Sequence, residues 1–94
     1  MHVVVRSYSG QGAEDLFSAM EERQDDVKEL ITGVPGFVSY AAFRSGDGVM
    51  TVTACQDKAG TDESSNRAAT WVNENVSASV DSPVITEGST FLQF

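Results

Sequence analysis

From Gly36 to Cys55 the chain reads GFVSYAAFRSGDGVMTVTAC, two strands joined by a tight turn and apolar on both of their sides. A strand with one face in water alternates apolar and polar residues, and these do not. On regular alternation Phe37 and Phe43 share one side and Val38 and Tyr40 the other; after the turn, Val49 and Cys55 oppose Met50, Val52 and Ala54. A sheet built on this hairpin needs cover on both faces, from a chain of 94 residues.

The flanking segments supply cover for one face. HVVVRSY (His2 to Tyr8) is short and β-branched, a strand that ends at SGQG. The period then changes: Ala13, Leu16, Phe17, Met20, Gln24, Val27 and Ile31 follow helical spacing with Glu and Asp opposite, which predicts one amphipathic helix from about Ala13 to Thr32. Glu14 and Asp15 suit its first turn, Gly33 is expected as a left-handed C-cap, and Pro35 prevents resumption. Strands follow at Phe37 to Arg44 and Val49 to Gln56, with SGDG as the turn between them. In DKAGTDES, Thr61 is expected to cap a second helix whose apolar stripe is Ala68, Ala69, Val72 and Val76, with Trp71 on its shoulder. VITEGSTFLQF reads as a last strand, bent at Gly88.

The order βαββαβ predicts a single α+β domain over residues 1–94: a ferredoxin-like four-stranded antiparallel sheet with two helices on one face. The other face keeps an apolar set with no third helix to cover it. A second copy packing sheet to sheet is the common solution, so a homodimer is expected.

Composition narrows the partners. Fourteen acidic against six basic residues give a net charge of −8, which repels phosphate backbones and anionic membranes; nucleic acid and membrane are not expected partners. The N-terminus lacks a signal-peptide h-region and no apolar run is long enough for a bilayer span, so the expectation is a soluble, cytoplasmic protein. One Cys and one His, with no phosphate-binding loop, predict no metal, haem or flavin and no disulfide. Cys55, in a strand with no base beside it, reads as a small buried hydrophobe.

VPGFVSYAAFRSGDG, preceded by the acidic amphipathic helix and followed by a strand ending in CQDKAG, resembles the antibiotic-biosynthesis-monooxygenase-type family of dimeric α+β barrels. The Pro35-Gly36 break and Tyr40 in the strand after it are the most specific parts of the likeness, which extends over nearly the whole chain. The resemblance implies a dimeric barrel with an apolar pocket between sheet and helices, in a family of oxygenases without metal or prosthetic group, haem-degrading enzymes and members of no known activity. The family's Trp at the end of the third strand is replaced here by Gln56, followed by Asp57; the second helix has no His, and the first strand has no Asn. The family's catalytic residues therefore do not transfer.

The remaining residues that bear chemistry are few. Trp71, Tyr40, Phe17 and Met20 are the candidate walls of a ligand pocket, although Trp71 reads first as a helix-to-sheet core anchor. Arg6 and Arg44 fall inside strands, where a buried guanidinium needs a carboxylate or carbonyl partner; an ion pair, in the protomer or across a dimer interface, is expected, and an anion-binding role is the alternative. Arg67 is placed to pair with Glu63 one helical turn away. His2 reads as a hydrogen-bonded strand-end residue rather than a base, and Glu21, Glu22, Asp25 and Asp26 as a solvated helix face. The resemblance implies a cofactor-independent, monooxygenase-like enzyme acting on a small aromatic or polyketide-like compound; the alternative is a non-catalytic small-molecule-binding or assembly module of the same fold.

Overall fold

The computed structural model describes residues 1–94 and has the elements β1 (His2–Tyr8), α1 (Ala13–Glu22), α2 (Gln24–Thr32), β2 (Phe37–Ser45), β3 (Gly48–Cys55), α3 (Lys58–Asn75) and β4 (Val84–Ser89). The strands form one sheet in the order β2-β3-β1-β4, each neighbouring pair antiparallel. This is the ferredoxin-like α+β arrangement read from the sequence. No helix is long and apolar enough to cross a membrane.

The helical region expected from Ala13 to Thr32 is two helices, not one. Arg23 leaves the helical region at φ −120, ψ 42 and divides α1 from α2. Neither Pro nor Gly causes the break. In one continuous helix Glu21–Asp25 and Glu22–Asp26 would be like-charged pairs one turn apart. Dividing the helix at Arg23 instead puts Asp25 and Asp26 in a first turn, where the partial positive charge favours them.

Other boundaries move for equally local reasons. Gly33 caps α2 in right-handed geometry, φ −79; the left-handed residue is Gly36, φ 70. Pro35 and Gly36 fill the central positions of a turn closed by Phe37 N–H donating to Val34 O at 3.2 Å, and positive φ is needed at the second of them. The β2–β3 hairpin turns on Gly46 and Asp47, with positive φ, 60, at Gly46. The N-cap of α3 is Asp57, whose carboxylate accepts from Gly60 N–H at 3.2 Å, and not Thr61, whose hydroxyl donates to Lys58 O inside the helix. A glycine is required at position 60 inside the helix because α3 crosses Pro35 and Cys55 so closely that a Cβ would overlap the Pro35 carbonyl oxygen and Cys55 Cβ. The buried face of α3 is Gly60, Thr61, Ser64 and Trp71, while Ala69 faces solvent, so the expected stripe is rotated and Trp71 is central to it. The last strand stops at Ser89, leaving Phe91 and Phe94 almost fully exposed.

A β-bulge between Phe37 and Ser39 sorts the apolar residues of the opening hairpin. It puts Phe37, opposite Cys55, on the same face as Tyr40, opposite Thr53, and Phe43, opposite Met50, on the other; Phe37 and Phe43 do not share a side. The inner face, under the helices, carries His2, Val4, Arg6 and Tyr8 of β1 and Val49, Thr51, Thr53 and Cys55 of β3, all buried. Tyr8, Leu16, Val49, Trp71 and Val76 form the core cluster there. The outer face holds Val3, Val5, Met50 and Val52, half-buried, with Ala41 and Phe43 exposed.

Candidate functional site

Two adjoining cavities lie between the inner face and the helices. The larger, about 560 Å³, opens under α1 and α2 against β2 and β3 and is walled by Phe17, Met20, Val27, Ile31, Phe37 and Tyr40, with Glu21, Gln24, Lys28 and Thr32 as its polar residues. The helices reach it because Phe17, Met20, Val27 and Ile31 continue one stripe across the Arg23 break. The strands reach it because the bulge turns Phe37 inward beside Tyr40. The smaller cavity, about 30 Å³, shares Met20, Val27, Ile31 and Tyr40 with the larger and is completed by Arg6, Tyr8, Leu16, Thr51 and Trp71, among others.

Of the four pocket residues expected from the sequence, Phe17, Met20 and Tyr40 wall the larger cavity. Trp71 does not. It belongs to the core cluster and borders the smaller cavity together with Met20 and Tyr40.

Arg6 occupies the polar end of the smaller cavity and is 1% exposed. The expected ion pair is absent. Its Nε donates to Thr51 Oγ1 at 3.2 Å, Nη1 to Ser64 Oγ at 3.1 Å and Ser65 Oγ at 2.9 Å, and Nη2 to Thr53 Oγ1 at 2.7 Å. The geometry follows from register: Arg6 sits opposite Thr51, with Thr53 two residues along on the same face, and Ser64 projects from α3 onto that spot. Ser64 donates its own proton to Thr61 O at 2.6 Å, which leaves its lone pairs for the guanidinium. Sequence reasoning missed this cage because it sought a carboxylate. The legible signal was a strand with Thr at alternate inward positions opposite Arg6, followed by Ser64-Ser65 on the helix that covers it.

The acidic groups nearest this cation are held neutral. Burial pushes the Tyr40 phenol up to about 12 and the Tyr8 phenol upward, the Arg6 charge opposing the rise in both. Burial also raises the Cys55 thiol, which is fully buried, as its place in the sequence predicts. Desolvation lowers the Arg6 pKa from a value so high that the group stays charged.

The other candidates lie apart from the cavities. Arg44 pairs with Glu14 at 2.8 Å and lies 4.1 Å from the centre of the Phe17 ring, bracing one wall of the larger cavity. Arg67 reaches Glu63 at 3.8 Å, as expected, and also donates to Leu30 O at 3.0 Å. His2 is buried, with Nδ1 2.8 Å from Thr61 Oγ1 and Nε2 3.6 Å from Glu87. No group of three His, Cys, Asp or Glu side chains is arranged to hold a metal ion.

Neither a protein-family model nor a curated protein matches the sequence. Solved structures do match over almost the full length. A monooxygenase from the gene ActVA-Orf6 of Streptomyces coelicolor, in complex with the ligand Nanaomycin D, superposes with a TM-score of 0.70 at 20% identity, covering 99% of this chain and 89% of that one. NE2512, a protein of unknown function from Nitrosomonas europaea, gives 0.63 at 20% identity over 99% and 93% of the two chains. Rv0793 from Mycobacterium tuberculosis gives 0.61 at 18% identity over 98% and 96%. The chain thus shares its ferredoxin-like α+β fold with these three proteins, and likeness at this identity speaks for the fold alone.

Proposed function

We propose that this protein takes a small aromatic or polyketide-like compound into the larger cavity and acts on it as a cofactor-independent, monooxygenase-like enzyme. The observation that carries the reading is the cavity of about 560 Å³, walled by Phe17, Met20, Phe37 and Tyr40. Its size and apolar lining suit a flat ring system, which would displace water there at little polar cost. A structural neighbour that is a monooxygenase solved in complex with the ligand Nanaomycin D supports the same reading. The chemistry that fits is oxidation of a phenol to a quinone: the ring loses two hydrogens and gains one oxygen atom, and the other oxygen of O2 leaves as water. The substrate supplies all the electrons, so the residues need only bind the ring, orient it and exclude water.

The outer face of the sheet supports a two-fold homodimer as the working state. Val3, Val5, Phe43, Met50 and Val52 form an apolar surface that no element of the protomer covers, and Phe91 and Leu92 border the groove beside Val3 and Val5. A second reading, a non-catalytic binding module, is favoured by one observation: Tyr40, the ionisable group shared by the two cavities, is pushed away from neutral pH rather than toward it.

Titration with 1,5-dihydroxynaphthalene, following Trp71 emission and O2 uptake together, tests both. The enzyme reading expects a saturable emission change and one O2 consumed per quinone formed, both lost when Ala42→Phe, on the β2 wall of the larger cavity, fills it. An emission change without O2 uptake selects the binding module. If no ligand perturbs the emission or protects the protein against heat, the cavity reading fails.

A further inference from the structure

A buried guanidinium without a carboxylate is an unusual thing for a small domain to retain. Removing an ion from water costs several kcal/mol, and hydroxyl dipoles compensate only in part for a missing counter-charge. Every group around Arg6 is uncharged. Thr51 and Thr53 of β3 and Ser64 and Ser65 of α3 are its hydrogen-bond partners, and Tyr8 of β1, Tyr40 of β2 and Cys55 of β3 are the nearest titratable groups. Those three stay protonated at neutral pH, since burial raises each of them. Four of the five N–H groups of Arg6 are taken by the hydroxyls, and one on Nη2 has no partner.

The cage holds the cation in one place, at the wall of a cavity of about 30 Å³. That is room for a water-sized group or two, so it admits an oxygen substituent and not a ring. The ring space adjoins it across Met20, Val27, Ile31 and Tyr40, which border both cavities. Arg6 and Thr51 are the only polar side chains of the smaller cavity apart from the tyrosine hydroxyls and the Trp71 N–H.

From this arrangement we infer that the protein recognises its aromatic ligand as an oxyanion, a phenolate or enolate whose single charged oxygen enters the smaller cavity and completes the coordination of Arg6. The inference rests on the ring-binding role of the larger cavity and adds to it the ionisation state of the ligand. Arg6 is a binding residue here, and Tyr8 and Tyr40 are neutral donors beside the same oxygen. The sign is distinctive. A protein of net charge −8 repels anions at long range and on that account would raise the pKa of a bound phenol; only the local cation lowers it.

The test uses 4-nitrophenol, whose ionised form absorbs in the visible, and its uncharged methyl ether 4-nitroanisole, each titrated into the native protein across the pH range of phenol ionisation. The expected result is tenfold or tighter binding of the phenolate over the ether, with the bound phenol ionising at least one pH unit below the free one. Arg6→Gln should abolish both differences, and Arg6→Lys should restore part of them. Equal binding of phenol and ether without a pKa change overturns the oxyanion inference while leaving the ring cavity standing. Failure of both to bind overturns the cavity reading itself. Should Arg6→Gln not fold, the chromophore's pKa in the native protein still decides.

Discussion

The two faces of the sheet invert the usual rule of burial. The inner face carries His2, Arg6, Thr51 and Thr53 and is sealed under helices; the outer carries Val3, Val5, Phe43, Met50 and Val52 and has no cover within the protomer. On the inner side hydrogen bonds make polar burial tolerable, because each hydroxyl of the cage meets a guanidinium N–H at 2.7–3.2 Å. Hydrogen bonds are directional, so this face fixes the seat of α3 closely and leaves a defined polar point inside. Apolar area is not directional. The outer face therefore suits a broad, flat contact such as a second copy of itself. A small sheet can in this way separate recognition of a ligand from assembly.

The largest effect expected from breaking this comparison is at the seat of α3. Gly60→Val places branched carbons against the Pro35 carbonyl oxygen and Cys55, forcing α3 off the inner face at a cost of about 3 kcal/mol in urea-unfolding stability. A loss below 1 kcal/mol would mean that α3 is not held closely and the cage geometry is not imposed. On the outer side, Val52 pairs with Val5 and Ala41 at the middle of the sheet, so Val52→Asp should weaken a sheet-to-sheet dimer by about 2 kcal/mol or more. Light scattering coupled to gel filtration reads this directly: native dimer and mutant monomer at tens of micromolar. A native protein that is already monomeric breaks the outer half of the comparison.

The smallest effect sharpens the inner half. Tyr40 ionises near 10 when unfolded and at about 12 in the folded state, so the native protein holds its proton more tightly. Its contribution is complete below pH 10 and lost as pH rises from about 10 toward about 12, amounting to up to about 2 kcal/mol after discounting for its partial exposure. Urea unfolding followed between pH 9 and about 12 should show that decline, and Tyr40→Phe should flatten it. A stability that rises with pH over this interval would show that an ionised tyrosine pairs with Arg6.

Much of the fold was legible because periodicity needs only local order. The strand at His2 to Tyr8, the helical stripe from Ala13 to Ile31 and the hairpin turn at Gly46 follow from side-chain spacing and from which residues accept positive φ. Three pocket walls, Phe17, Met20 and Tyr40, were legible on the same terms, being large apolar or aromatic side chains on segments that face one another in a βαββαβ order. The boundaries were less so. Thr61 and Gly33 each looked like a helix end by residue type, and Asp57 and Gly36 took those parts because a contact or a turn closed there instead.

By itself, then, the sequence determined the order of elements, the side of each helix that is apolar and the surplus of apolar surface that one protomer cannot bury, because all of these are properties of short windows. Only the tertiary structure decided that Arg6 is caged by hydroxyls rather than paired, that Trp71 anchors the core beside the smaller cavity, and that a bulge turns Phe37 inward. The physical reason is sequence separation. The partners of Arg6 lie between 45 and 59 residues away, so their meeting depends on register and crossing geometry that no local pattern encodes.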